Sequence, residues 1–182
     1  MGLRGILAFA FLMMSILACG RTTPVGIDVF FGDPDSPGSA DPPYLDTVTF
    51  ANGLRLRLVE SSSLTRGYPG ASGNPFGSSR ERHYQPVQFF IPLQRVSLSH
   101  ALSENFILSE FVAPTVDRGG EWAYVDAQIA DHVQRIRSGL GRAVILSSAF
   151  RAPEHNEAIG GASFSRHLYG DAVDIDVDQG RS

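Results

Sequence analysis

Alternating apolar and polar residues near the end of the chain predict a short strand over residues 172–177. Ile175 falls on the apolar face of this pattern and Asp174 on the polar face. Successive side chains of a strand point to opposite faces, so Asp174 would face a cleft if the apolar face packs on a core. Gly170 lets the chain reverse just before the strand, because glycine adopts backbone angles that other residues avoid. We expect this reversal to bring His167 beside Asp174.

Upstream, the spacing of the apolar residues predicts one long helix that runs from about Trp122 to Leu140. Apolar residues recur there at spacings of three and four, which is typical of an amphipathic helix, at Val125, Ile129, Val133, Ile136 and Leu140. Gly139 and Gly141 provide a stop. Residues 143–146, Ala-Val-Ile-Leu, then predict a buried strand, and Pro153 can start a short helix.

The first half of the chain predicts a β-rich region. Thr47–Phe50 and Leu54–Leu58 alternate in polarity on either side of an Asn52-Gly53 turn, which is a strong hairpin signal. Residues 61–82 carry Ser, Gly, Pro and Asn with few apolar anchors. A loop of this length is either disordered or functional, and we expect disorder. Residues 87–98 are largely apolar around a proline, which suits an edge strand or extended arm.

The N-terminus has the pattern of an export signal. Residues 1–18 contain a charged start at Arg4, an apolar run and small residues before Cys19. The end of this segment resembles a bacterial lipobox, with Cys19 as the lipidated first residue of the mature chain. An ordinary signal peptide, or a buried helix with a chance cysteine, is the alternative. Residues 19–43 are rich in Pro, Gly, Asp and Ser and predict a flexible tether.

Composition narrows the chemistry. The 182 residues carry a net charge of −4, which gives no basis for nucleic-acid binding. All 15 basic residues are arginine. The lack of lysine excludes S-x-x-K acyltransferases, Walker loops and Schiff-base enzymes. The only cysteine is Cys19, so a hydrolase on this chain would use a metal ion, or Ser with His. A Ser165–His167 hydrolase is disfavoured, because no G-x-S-x-G nucleophile elbow is present.

A histidine and an aspartate brought together by a glycine turn suit a zinc half-site. A structural His–Asp hydrogen bond is the alternative. The pattern S-x-H-x-x-G-x-A-x-D is complete, at Ser165, His167, Gly170, Ala172 and Asp174. It resembles the zinc D-Ala-D-Ala carboxypeptidases and murein peptidases of the M15 family. Three further segments resemble motifs of the same family, namely Leu102–Phe111, Ser147–Asn156 and Gly160–Ala162.

The resemblance implies an α+β fold with a small antiparallel sheet and flanking helices over residues 97–182. It implies that His167 and Asp174 are zinc ligands and that Arg151 binds substrate or polarises it near the scissile bond. Ser165 either orients the cleft or contacts substrate, or it is only a turn-forming hydroxyl. The expected reaction is hydrolysis of peptidoglycan stem peptides at or near D-Ala-D-Ala, by carboxypeptidase or endopeptidase cleavage.

One departure from the family matters. The family takes its third zinc ligand, a histidine, and its general base from a segment later than the aspartate, and no histidine follows His167 here. We expect a truncated product or fragment. The remaining histidines are poor substitutes; they are His83, His100, His132 and His155. The alternative function is a wall-binding lipoprotein that keeps the peptidase fold without cutting.

The sequence thus predicts four parts: a lipoprotein signal peptide (1–18), a tether (19–43), a β-rich region with a long loop (44–96) and an incomplete peptidase domain (97–182). The expected partners are a peptidoglycan stem peptide and a lipid anchor through Cys19, with the chain a monomer. The expected location is the bacterial cell envelope, on the periplasmic side of the outer membrane where the host has one.

Overall fold

The architecture below is that of a computed structural model, which describes residues 27–29, 46–116 and 120–176. The predicted signal peptide, Cys19 and most of the predicted tether lie outside the described residues. Of the tether, residues 27–29 form a strand. The four-part division of the chain stays a prediction.

The described chain has an α+β fold, in which four strands and one short helix come first and three helices then alternate with three short strands. The strands are β1 (Ile27–Val29), β2 (Asp46–Thr49), β3 (Leu54–Glu60), β4 (Phe89–Pro92), β5 (Trp122–Ala123), β6 (Ile145–Ser148) and β7 (Asp174–Asp176). The helices are α1 (Ser62–Thr65), α2 (Leu108–Val116), α3 (Ala127–Leu140) and α4 (Pro153–Ala158). Short 3-10 turns cover Ala71–Gly73, Ser78–Tyr84, Leu93–Arg95 and Arg166–Tyr169.

The predicted hairpin is confirmed. β2 and β3 pair antiparallel, with Thr49 opposite Arg55. Gly53 turns the chain at a φ of 88°, a conformation that glycine adopts without a steric penalty. The Asn52 side chain accepts a hydrogen bond from Leu54 N–H at 3.0 Å and donates one to Ala101 O at 2.7 Å. The leucines of β3 are buried, as the alternation predicted.

β4 is not the edge strand that the sequence suggested. It lies between β3 and β5 in a five-stranded sheet, in which β3 also pairs with β1 in parallel. Phe90 and Ile91 are both fully buried, so the strand is covered on both faces. Pro92 is its last residue, and the pairing continues past it through Leu93 N–H to Glu121 O at 2.8 Å. Since β5 follows α2, this sheet joins the regions predicted as 44–96 and 97–182.

The expectation of disorder over residues 61–82 is wrong. The segment contains α1 and two 3-10 turns, and it buries Tyr68 and Ala71. The Asn74 side chain donates to Ala71 O at 2.8 Å and to Gly77 O at 3.2 Å, and these two hydrogen bonds fix the bend between residues 71 and 77. Tyr68 donates its phenolic O–H to Leu168 O at 2.6 Å. The segment is ordered because it packs against the C-terminal part of the described chain.

The long helix is confirmed, but it begins at Ala127 rather than near Trp122. Asp126 caps its N-terminus by accepting a hydrogen bond from Gln128 N–H at 2.8 Å. The residues before the cap are drawn into β5 by pairing with β4. Gly141 ends the helix in the left-handed region, at a φ of 61°. The predicted stop is therefore confirmed.

β6 and β7 form a separate two-stranded antiparallel sheet. β6 runs over Ile145–Ser148 and is not the buried strand predicted for 143–146, since the Ile145 side chain is 51% exposed. On β7, Asp174 is exposed and Ile175 half-buried, as the alternation predicted. A register irregularity between Leu146 and Ser148 sets Ser148 opposite Asp174.

The core lies between the larger sheet and helices α2 and α3. Its fully buried members include Phe90, Phe106, Leu108, Phe111, Val112 and Phe150. Phe150 N–H donates to Phe111 O at 3.1 Å, so this core also anchors the segment that follows β6. Within the described ranges, none of the helices combines the length and apolarity needed to cross a bilayer.

Candidate metal centre

His167 lies on a short turn whose shape depends on a glycine. The turn spans Arg166–Tyr169 and ends at Gly170, whose φ of 66° is left-handed. A Cβ at this glycine would lie 2.6 Å from the backbone oxygen of Tyr124, so a larger residue does not fit without displacement. Gly170 O also accepts a hydrogen bond from Asp126 N–H at 3.0 Å. The turn is thereby fastened to the start of α3.

The hydrogen bonds of His167 fix its ring tautomer. Nδ1 lies 2.7 Å from Ala149 O. A carbonyl oxygen can only accept, so Nδ1 carries the proton, and in the neutral ring Nε2 keeps its lone pair. Arg151 N–H donates to His167 O at 3.1 Å, which holds the backbone of the turn as well. Nε2 of the imidazole therefore carries an electron pair of the kind that binds metal ions.

That atom faces Asp174, whose carboxylate is itself held by Arg151. Asp174 Oδ2 accepts a hydrogen bond from Arg151 Nη2 at 2.9 Å. Arg151 donates in turn to Ser148 Oγ, from Nε at 3.0 Å and from Nη2 at 2.8 Å. The irregular register of β6 and β7 is what puts Ser148 within reach. Oδ2 is thus engaged, and Oδ1 is directed to His167 Nε2 at 3.4 Å.

This pair fits a zinc-type ion. Zinc binds imidazole nitrogen and carboxylate oxygen at about 2.0–2.2 Å with tetrahedral angles, which puts two such ligand atoms about 3.3–3.6 Å apart. The observed separation of His167 Nε2 and Asp174 Oδ1 is 3.4 Å. It exceeds the range of about 2.7–2.9 Å typical of a charge-assisted hydrogen bond. The two atoms are therefore spaced as two ligands of one zinc ion would be.

Within residues 27–29, 46–116 and 120–176, no group of three His, Cys, Asp or Glu residues is arranged to hold a metal ion. The described residues therefore offer two candidate ligands, His167 and Asp174. The other four histidines do not complete such a group in that part of the chain. Both His83 and His132 are exposed.

The structure brings together three of the residues predicted for the site: His167, Asp174 and Arg151. The sequence predicted a substrate contact for Arg151, and that contact stays a prediction. It did not predict the ion pair that Arg151 forms with Asp174. Ser165 is at the N-terminal end of the turn, and its side chain makes no capping hydrogen bond. Its contact with substrate also stays a prediction. Cys19 lies outside the described residues.

Sequence reasoning missed the residues that support the turn. Arg166 donates from Nε to Asp171 Oδ1 at 3.0 Å and from Nη2 to Asp171 Oδ2, a two-pronged ion pair. Burial by itself would lower the pKa of Arg166, but the hydrogen bond and the charge of Asp171 outweigh it, so the pKa of Arg166 is raised. Both residues occupy unspecified positions of the S-x-H-x-x-G-x-A-x-D pattern. Their opposite charges, five residues apart across a turn, were the available signal.

An open cavity of about 600 Å³ adjoins this turn. Its lining includes Arg166, Tyr169 and Asp171, but neither His167 nor Asp174. The candidate centre is therefore identified by the positions of His167 Nε2 and Asp174 Oδ1, and not by a cavity.

A comparison with protein families gave a match. Residues 104–182 match the family model described as Peptidase M15. The match includes Arg151, His167 and Asp174 and excludes β1 to β4. The comparisons with curated proteins and with solved structures gave no match.

Proposed function

We propose that the chain is a zinc metallopeptidase that hydrolyses peptidoglycan stem peptides at or near D-Ala-D-Ala, since residues 104–182 match the Peptidase M15 family model. The observation that carries the proposal is the pair of donor atoms, His167 Nε2 and Asp174 Oδ1, separated by 3.4 Å. The proton on His167 Nδ1 is engaged by Ala149 O, which leaves Nε2 available for a metal ion.

His167 and Asp174 would hold the zinc ion. When bound, zinc polarises a scissile carbonyl and makes water a better nucleophile near neutral pH. Arg151 keeps Asp174 Oδ2 engaged, so that Oδ1 remains turned towards the histidine. An arginine here also suits the terminal carboxylate of a peptide, which guanidinium groups bind in two-pronged fashion. Its side chain is 17% exposed, so a substrate carboxylate would have to approach an edge of the guanidinium.

A second candidate function is a wall-binding protein that keeps the peptidase fold without cutting. The observation in its favour is that the described residues offer no third ligand beside His167 and Asp174. On either function, we propose attachment to the cell envelope through a lipid on Cys19. The support is the apolar run and the lipobox-like residues 15–19.

The test is hydrolysis of a pentapeptide stem that ends in D-Ala-D-Ala, followed by mass spectrometry with and without added zinc. Native chain and His132→Ala should release D-Ala or an internal fragment, whereas His167→Ala should not. His132 is the matched control because it is an exposed histidine on α3. Peptide binding without cleavage by zinc-treated native chain would refute the peptidase in favour of the binding protein.

A further inference from the structure

The turn that carries His167 is held from outside the family-matched region. Tyr68 donates its O–H to Leu168 O at 2.6 Å, and Arg166 Nη1 donates to His83 O. Tyr169 donates its O–H to Tyr84 O at 3.4 Å. Three of the four residues of the turn, Arg166, Leu168 and Tyr169, are therefore tied to residues 68–84, which precede the matched residues 104–182.

Arg166 makes the most extensive of these connections. Its guanidinium carbon lies 4.9 Å from the ring centre of Tyr84 and 4.6 Å from that of Tyr169. The cation therefore lies over the faces of two aromatic rings, an arrangement that arginine favours. Its edges donate to Asp171 and to His83 O. The side chain is therefore restrained both by the aromatic rings and by its hydrogen bonds.

These contacts bear directly on the two ligands. Arg166 and Asp171 lie at the two ends of the turn, so their ion pair closes it around His167 and Gly170. Asp171 is three residues before Asp174, at the entry to β7. His167 alone in the turn directs its ring the other way, to Ala149 O and Asp174.

We propose that Arg166, held by Tyr84, Tyr169 and Asp171, is a positioning residue that sets the separation of His167 Nε2 and Asp174 Oδ1, and that residues 68–84 are thereby part of the metal centre. The inference rests on the proposed function for its zinc readout, but its geometric part does not need zinc. Groups that orient metal ligands typically change metal affinity by about 10–100-fold when they are removed. Arg166 acts through the backbone of the turn, so we expect a loss of about tenfold.

The experiment compares the zinc dissociation constants of native chain, Arg166→Met, Arg166→Lys and Arg135→Met by competition with a chelator. Arg135 is the matched control, an arginine with an acidic partner, Asp131, at 2.6 Å on the surface of α3. We expect about tenfold weaker binding for Arg166→Met, an intermediate value for Arg166→Lys, which keeps the charge but not the planar fork, and native affinity for Arg135→Met. If Arg166→Met does not fold, Asp171→Asn replaces it with the same expectation.

A second readout is amide hydrogen exchange without metal. The amides of Arg151 and Asp126 donate to His167 O and Gly170 O, so they report on the turn directly. They should exchange faster in Arg166→Met than in native chain, while the hairpin amide of Gly53 stays unchanged. Native zinc affinity, or unchanged exchange at both amides, would overturn the proposal. If native chain binds no zinc, the proposed function fails, and the exchange rates alone decide the role of Arg166.

Discussion

Gly170→Ala is the substitution for which the structure gives the clearest expected cost. Gly170 has a φ of 66°, and an alanine Cβ there would meet Tyr124 O at 2.6 Å and Tyr124 Cδ1 at 2.8 Å. The left-handed conformation costs a residue with a Cβ about 1–2 kcal/mol. Relief of the contact with a backbone oxygen requires the turn or Tyr124 to move, and such overpacking costs about 1–3 kcal/mol. We expect a total destabilisation of about 2–5 kcal/mol, the sum of the two ranges.

Gly141→Ala provides the matched control. Gly141 has nearly the same backbone conformation, with a φ of 61°, but a Cβ there would meet nothing within 4 Å. It should cost only the conformational part, about 1–2 kcal/mol. Urea denaturation followed by circular dichroism gives both free energies of unfolding. Equal losses for the two variants would refute the claim that close packing against Tyr124 shapes the turn. Zinc affinity should fall in Gly170→Ala and stay native in Gly141→Ala.

Two further predictions concern Ser148 and Tyr68. Ser148→Ala removes the oxygen that accepts two hydrogen bonds from Arg151, so Arg151 positions Asp174 less firmly. Zinc affinity, measured by competition with a chelator, should therefore fall about tenfold. An unchanged affinity would contradict the role of Ser148. Tyr68→Phe leaves Leu168 O without its buried donor and should cost about 1–3 kcal/mol in urea denaturation at neutral pH. Burial raises the pKa of Tyr68 above the ordinary value of 10, so only the unfolded chain loses this proton as the pH first rises past 10. Stability should therefore decline above pH 10 by up to about 1.4 kcal/mol per pH unit, and Tyr68→Phe should decline less steeply; identical slopes would exclude this contribution.

The parts of the fold that sequence predicts well are those determined by neighbours in the chain. The Asn52-Gly53 hairpin needs only the turn residues and the alternation beside them. His167 and Asp174 are seven residues apart, and the glycine between them is the one local condition for their meeting. Both features can therefore be predicted from the local sequence.

The parts that the sequence did not predict depend on distant contacts. Tyr68 donates a hydrogen bond to Leu168, 100 positions away, and no local pattern in this polar segment predicts that contact. Pairing with β4 moves the start of α3 to Ala127, because Trp122 is drawn into a strand. The engagement of Asp174 by Arg151 requires the irregular register that brings Ser148 opposite it. In each case tertiary pairing decides between locally acceptable conformations.

Zinc binding by native chain, His167→Ala and His132→Ala, measured at equilibrium with a chelating competitor, tests the central claim most directly. Native chain and His132→Ala should bind with the same affinity. His167→Ala should bind more than about 100-fold more weakly, since even the groups that merely orient metal ligands contribute about 10–100-fold. Equal zinc affinity in His167→Ala and native chain would contradict the account.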